Sequence, residues 1–149
     1  TERNTLLVLA LCTLLVSMIG IAKDQVERPF KLHGYGTAIL NFDNGTWTFA
    51  DKSGEATHLG LFTMPGAGTF IPSFTGTGSL LAANGDEVFW YVEQAGPEYP
   101  AFFTITGGTG RFEGASGSFA IMTADEIAAW DGNLLIVTHS LSGVGTITY

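Results

Sequence analysis

Cysteine is almost missing from this chain of 149 residues, and its one copy, Cys12, lies in an apolar N-terminal run. That excludes a disulfide framework, a cysteine zinc site and a cysteine nucleophile from the folded part. Basic residues are scarce as well, six Lys and Arg against fourteen Asp and Glu, for a formal net charge of −8. Binding a phosphate backbone needs a basic face, so nucleic acid is excluded as a partner. Charged residues make up only 13% of the chain, whereas 12% are aromatic and 20 residues are glycine. This is the composition of a folded, β-rich domain rather than a disordered one.

The informative stretch is 103–119, FTITGGTGRFEGASGSF. Phe103 and Ile105 alternate with threonines, as in a strand whose one face is buried. Glycines at 107, 108, 110, 114 and 117 then give the chain backbone angles closed to other residues. They suit a structural corner, Gly107, Gly108, Gly110, Phe112, Gly114 and Gly117, where strands pass at close range. A phosphate cradle is the competing reading. The dinucleotide fingerprint counted from Gly108 and Gly110 meets Glu113 where its third glycine should be, the Gly-Lys-Ser/Thr of a P-loop is absent, and a strand follows instead of a helix.

Thr5 to Ala22 is free of charge and would form a helix about 27 Å long, enough to cross a bilayer core. It exceeds the 7–15 apolar residues typical of a signal-peptide core, so the expectation is a retained anchor, residues 1–22, with Leu6, Leu7, Leu11, Leu14, Leu15, Met18 and Ile19 toward lipid. Cleavage after Gly20-Ile21-Ala22, giving a secreted protein, is the alternative. Residues 23–33 read as a polar linker. The remainder, 34–149, reads as a meander. Asp43-Asn44-Gly45 and Asn84-Gly85 are hairpin signals. Lys52-Ser53-Gly54 is a third turn signal and 64–68 a loop. Residues 69–83 form one interrupted strand, with Pro72 confined to an edge or bulge. Thr123-Ala124-Asp125-Glu126 has the form of a capping box and predicts a helical turn through Trp130. About eight strands with short turns suit a closed antiparallel barrel or a β-sandwich.

No reactive constellation stands out, and no catalytic, metal-binding or cofactor-binding residue is assigned. His33, His58 and His139 lack the spacing of a zinc motif. Arg111 and Glu113 read as a solvated pair at the corner, Asp86 and Glu87 as a solvated turn, and Asn44-Gly45-Thr46 as turn chemistry rather than a glycosylation site. In Glu87–Glu93, Val88, Trp90 and Val92 share one face, and Phe89 and Tyr91 share the other. With the first face inward, Phe89 and Tyr91 are left outside, which makes them a candidate interface.

The segment GGTGRFEGASGSF resembles the glycine motif of plant dirigent proteins and allene oxide cyclases, and more closely that of bacterial exported proteins with an allene oxide cyclase-like barrel. Thr57-His58-Leu59-Gly60 and Leu81–Asp86 followed by Val88-Phe89 are similar to the same bacterial group. The resemblance spans 34–149 and implies an eight-stranded antiparallel β-barrel. Plant members with this fold are trimers. It also implies an exported domain on the periplasmic side of the inner membrane, although Lys23, Arg28 and Lys31 after the apolar run against Arg3 before it oppose that orientation. Two functions follow as expectations. One is a membrane-tethered, non-enzymatic barrel acting through other protein subunits, as an accessory or structural part of a membrane complex or as a homo-oligomer. The other is a lumen that binds an apolar small molecule and steers its cyclisation. An open lumen with buried polar groups would favour the second, and a packed one the first.

Overall fold

A computed structural model of the protein describes residues 24–96 and 98–149. The anchor residues expected between Leu6 and Ile19, and Cys12, lie outside them. Among the described residues no helix is long and apolar enough to cross a membrane.

Ten strands form one antiparallel sheet: β1 (Glu27–Asn41), β2 (Thr46–Phe49), β3 (Ser53–Ala56), β4 (Gly60–Thr63), β5 (Gly66–Thr69), β6 (Phe74–Ala82), β7 (Glu87–Gln94), β8 (Ala101–Gly108), β9 (Ser116–Asp131) and β10 (Leu134–Thr148). The sheet closes on itself because β10 pairs with β1 along its whole length, Glu27 opposite Thr148 through Asn41 opposite Leu134. β2 and β3 both pair with β1, and β4 and β5 both pair with β6. Each of these couples is one strand of the barrel interrupted midway, so the ten segments occupy eight positions. The eight-stranded antiparallel barrel is therefore read directly from the ladder, and closure leaves no free edge along the paired lengths.

The interruption between β2 and β3 matters most. Ala38 pairs with Phe49 and Tyr35 with Ser53, so residues 50–52 stand opposite only residues 36–37. One extra residue on one strand is a β-bulge, and it shifts the inward alternation by one. Trp47 and Phe49 point inward before it; Lys52 and Ala56 point inward after it. No comparable shift separates β4 from β5, since Thr63 pairs with Leu81 and Gly66 with Gly78 in one unbroken register.

Several boundaries differ from the sequence reading. β1 starts at Glu27, so most of the expected linker, 23–33, is strand, with Phe30 and Leu32 buried. No turn forms at 52–54: the bulge at 50–52 leads straight into β3, and the chain reverses at 57–59 instead, where His58 takes φ 70°. The loop expected at 64–68 contains β5, and the reversal falls at 70–73, around Pro72. The helical turn expected from Thr123 to Trp130 is strand, because β9 pairs with β10 from Thr148 opposite Ser116 to Leu134 opposite Asp131. The long ladder overrides the local capping signal, which alone offers only a single turn. Asp131-Gly132-Asn133 closes that hairpin as expected, with Gly132 at φ 59°.

The glycine corner closes one end of the barrel. Gly107, Gly110, Gly114 and Gly117 have positive φ, and a 3-10 turn at Gly110–Phe112 presses Phe112 fully inside against Tyr149. Around it this half of the lumen is solid: Phe103 stacks on Phe119 at 5.2 Å, Phe30 meets Phe119 edge-on, and Val88, Leu80 and Ile147 are inaccessible. Trp90 lies flat against β5 and β6, where a Cβ at Gly66 or Gly78 would fall 2.5 and 2.3 Å from its ring. The indole excludes a side chain at Gly66, and at Gly78 it does so together with the Pro65 carbonyl oxygen, 2.2 Å from the same position. Trp90 meets Phe103 edge-on at 5.1 Å and Phe49 at 6.0 Å.

Candidate functional site

The other half of the lumen is not filled. A cavity of about 240 Å³ opens there, and most of its wall is apolar: Ala38 and Leu40 from β1, Trp47 and Phe49 from β2, Phe74 from β6, Ala101 and Phe103 from β8, Ile121 from β9 and Val137 from β10. Met64 and Phe70 complete it on the side of β4 and β5. These side chains are the inward members of ordinary alternation, so the sequence dictates an apolar wall. Trp47 is fixed by donating from Nε1 to the carbonyls of Thr69 at 3.0 Å and Thr75 at 3.2 Å, and it stacks on Phe74.

Polar groups enter the cavity from four places: Lys52 from the bulge, Tyr99 from the loop before β8, Thr123 and Asp125 from β9, and His139 from β10. Lys52 is only 6% exposed, and its Nζ sits 3.3 Å from the centroid of the Phe49 ring. Among the described residues it makes no direct ion pair. Burial lowers its ammonium pKa to about 7, and the charge of Asp125 opposes the shift. His139 is 7% exposed, and both its ring nitrogens lack a hydrogen-bond partner among the described residues. Its Nδ1 lies 3.4 Å from Asp125 Oδ1, too long for a good hydrogen bond. Burial, and then the charge of Lys52, lower its pKa to about 4 against the pull of Asp125, so it is neutral at pH 7. The Tyr99 phenol is pushed up, by burial first and also by Asp125, and stays protonated.

The sequence reading gives Lys52 to a turn and Thr123 and Asp125 to a capping box, and none of these polar residues a functional role. His139 was considered only as one of three histidines, and the three lie apart: His33 faces Glu55 at 3.6 Å and His58 meets the Pro29 carbonyl at 2.9 Å. Among the described residues no cluster of His, Cys, Asp or Glu could hold a metal ion. At the corner, Arg111 Nε reaches Asp86 Oδ2 at 3.5 Å, so the acid beside the hairpin holds the arginine that the sequence paired with Glu113.

On the outside, the strand reading of β7 matches the structure. Val88, Trp90 and Val92 are buried, Phe89 is 37% exposed, and Tyr91 is half-buried with its hydroxyl donating to Glu93 Oε2 at 2.6 Å. More exposed apolar side chains stand on β8, which pairs with β7, and on β10, two strands beyond β8: Phe102 at 64% and Val144 at 61%, both in register with Ala120 of the intervening β9. The alternation of β8 and β10 contained that signal.

No protein-family model matches the sequence, and no curated protein sequence matches it. Among solved structures, the chain is similar to a pterocarpan synthase dirigent protein, with 14% identity over 85% of this chain and 94% of that one, at a TM-score of 0.49.

Proposed function

We propose that the barrel binds an apolar small molecule in its lumen. The observation that carries this reading is His139, a buried imidazole whose nitrogens have no good hydrogen bond among the described residues, facing a cavity that the surrounding side chains leave unfilled. An orphaned buried polar group is costly unless something occupies the site with it. The apolar wall supplies affinity, and the polar groups on one side supply orientation. At about 240 Å³ the space is below the ~300–1,000 Å³ usual for drug-sized ligands, so the ligand is small. Steering a cyclisation of that ligand is the catalytic extension of the same reading.

The test is quenching of tryptophan emission on titration with an apolar aromatic alcohol, compared with Ala38→Phe, which fills the cavity. Both proteins carry a Trp130→Phe background, which leaves the buried Trp47 and Trp90 as reporters. Saturable quenching lost in the filled variant supports lumen binding. Equal behaviour of the two proteins overturns it.

A second reading concerns association. The outward apolar residues Phe89, Phe102 and Val144 support a surface covered by a second copy of the chain, since burial of each side chain would contribute roughly 1.5–3 kcal/mol. Tethering to a membrane through residues 1–22, with the barrel in the periplasm, is the corresponding proposal for the N-terminal run.

A further inference from the structure

We infer that Lys52 is a covalent attachment point, whose ε-amine condenses with the aldehyde or ketone carbonyl of a ligand seated in the lumen. The inference rests on the lumen-binding reading and adds to it the chemical class of the ligand. Lys52 reaches the cavity only because the bulge at residues 50–52 reverses the alternation of its strand. Keeping an ammonium in that apolar wall is unfavourable, and the fold offers it the face of Phe49 but, among the described residues, no direct carboxylate partner. A lysine desolvated in this way is the form in which the amine acts as a nucleophile.

The groups facing it decide which ligand fits. Asp125, His139 and Tyr99 line the same cavity. A carboxylate ligand would meet the Asp125 charge inside a chain of net charge −8. A neutral carbonyl meets no such repulsion, and the Tyr99 phenol lines the same cavity. In the condensation the amine lone pair attacks the carbonyl carbon and the C–N bond forms. The carbonyl oxygen then departs as water with the two hydrogens of the amine, leaving a C=N bond. No oxidant or reductant takes part.

The chain supplies its own control, because Lys31 is exposed on the outer surface. Cinnamaldehyde and cinnamyl alcohol share a skeleton and differ at the carbonyl. The protein is incubated with the aldehyde at neutral pH, reduced with sodium cyanoborohydride, and analysed by intact mass and peptide mapping. In parallel, the alcohol is titrated against tryptophan emission in the Trp130→Phe background, and Lys52→Met is carried through both measurements with circular dichroism to monitor folding. The expected result is one adduct, of aldehyde minus water plus two hydrogens, on Lys52 in at least tenfold excess over Lys31 and absent from Lys52→Met. Peptide mapping of the wild-type protein decides the matter even where the variant fails to fold. Binding of the alcohol with no preference of the aldehyde for Lys52 overturns the covalent inference and leaves lumen binding standing. Failure of both probes to bind overturns both.

Discussion

Gly36 and Lys52 occupy each other's space: a Cβ on Gly36 would lie 2.5 Å from the Lys52 Cα and 2.6 Å from its Cγ. The absent side chain on β1 is what lets the bulge fold inward and lay the lysine along the lumen wall. Gly36→Val should therefore displace Lys52 as well as strain the barrel. We expect a loss of about 1–3 kcal/mol in urea unfolding, together with loss of aldehyde labelling at Lys52. A variant of wild-type stability that still labels at Lys52 would show that the bulge holds its geometry without this glycine.

The lysine also makes stability depend on pH. Its folded pKa, about 7, lies below the ~10.4 of an unfolded lysine, so between these values the unfolded chain holds the proton that the folded one has released. Stability contributed by Lys52 is thus lowest below pH 7 and rises as pH climbs from about 7 toward 10.4. His139 acts in the same sense in a lower window, between about 4 and the ~6.5 of a free imidazole. Lys52→Met should stabilise the protein at pH 6 by on the order of a few kcal/mol and flatten the alkaline rise. Denaturant midpoints from about pH 5 to 10 check this. A rise of equal size in the variant would assign the effect elsewhere.

At the closed end, Gly110 has φ +58°, and a Cβ there would strike the Asp86 carboxylate. Gly110→Val should cost about 1–3 kcal/mol from backbone strain. Gly108 is sensitive for another reason: its φ is ordinary, but a Cβ would lie 2.5 Å from the Glu87 carbonyl oxygen. Asp86→Ala in the Gly110→Val background separates the causes, because it relieves contact with the side chain and leaves φ strained. Full recovery of the melting temperature would show that strain contributes little.

On the outer wall, Phe89→Ser with Tyr91→Ser should leave the barrel folded, because neither side chain belongs to the core. If a second copy covers this face, the substitutions should reduce the assembly measured by light scattering with an unchanged circular dichroism spectrum, and Phe102→Ser should deepen the loss. An unchanged assembly would remove these strands from the contact.

Alternation made the barrel legible. In β7 it placed Val88, Trp90 and Val92 inside and Phe89 and Tyr91 outside, because a closed sheet has one interior and a pleat of period two. The glycine run likewise marked the corner. The polar side of the lumen was hidden for the opposite reason. Continuing the alternation of Trp47 and Phe49 puts Lys52 outside, and the extra residue that brings it in is visible only against the registers of β1 and β5. The turn at His58 carried no glycine at its positive φ, and Asp125 was concealed in a segment whose capping pattern spoke for a helix. In each place the deciding partner lies on another strand, beyond the reach of local pattern.

Trp90 lies beneath Phe49 and Phe103, seated in the hollow that Gly66 and Gly78 leave. Those two rings line the cavity, and the indole does not. On the lumen-binding proposal, Trp90 therefore sets the capacity of the lumen without touching the ligand. Shortening it would let the overlying rings settle and enlarge the space from below.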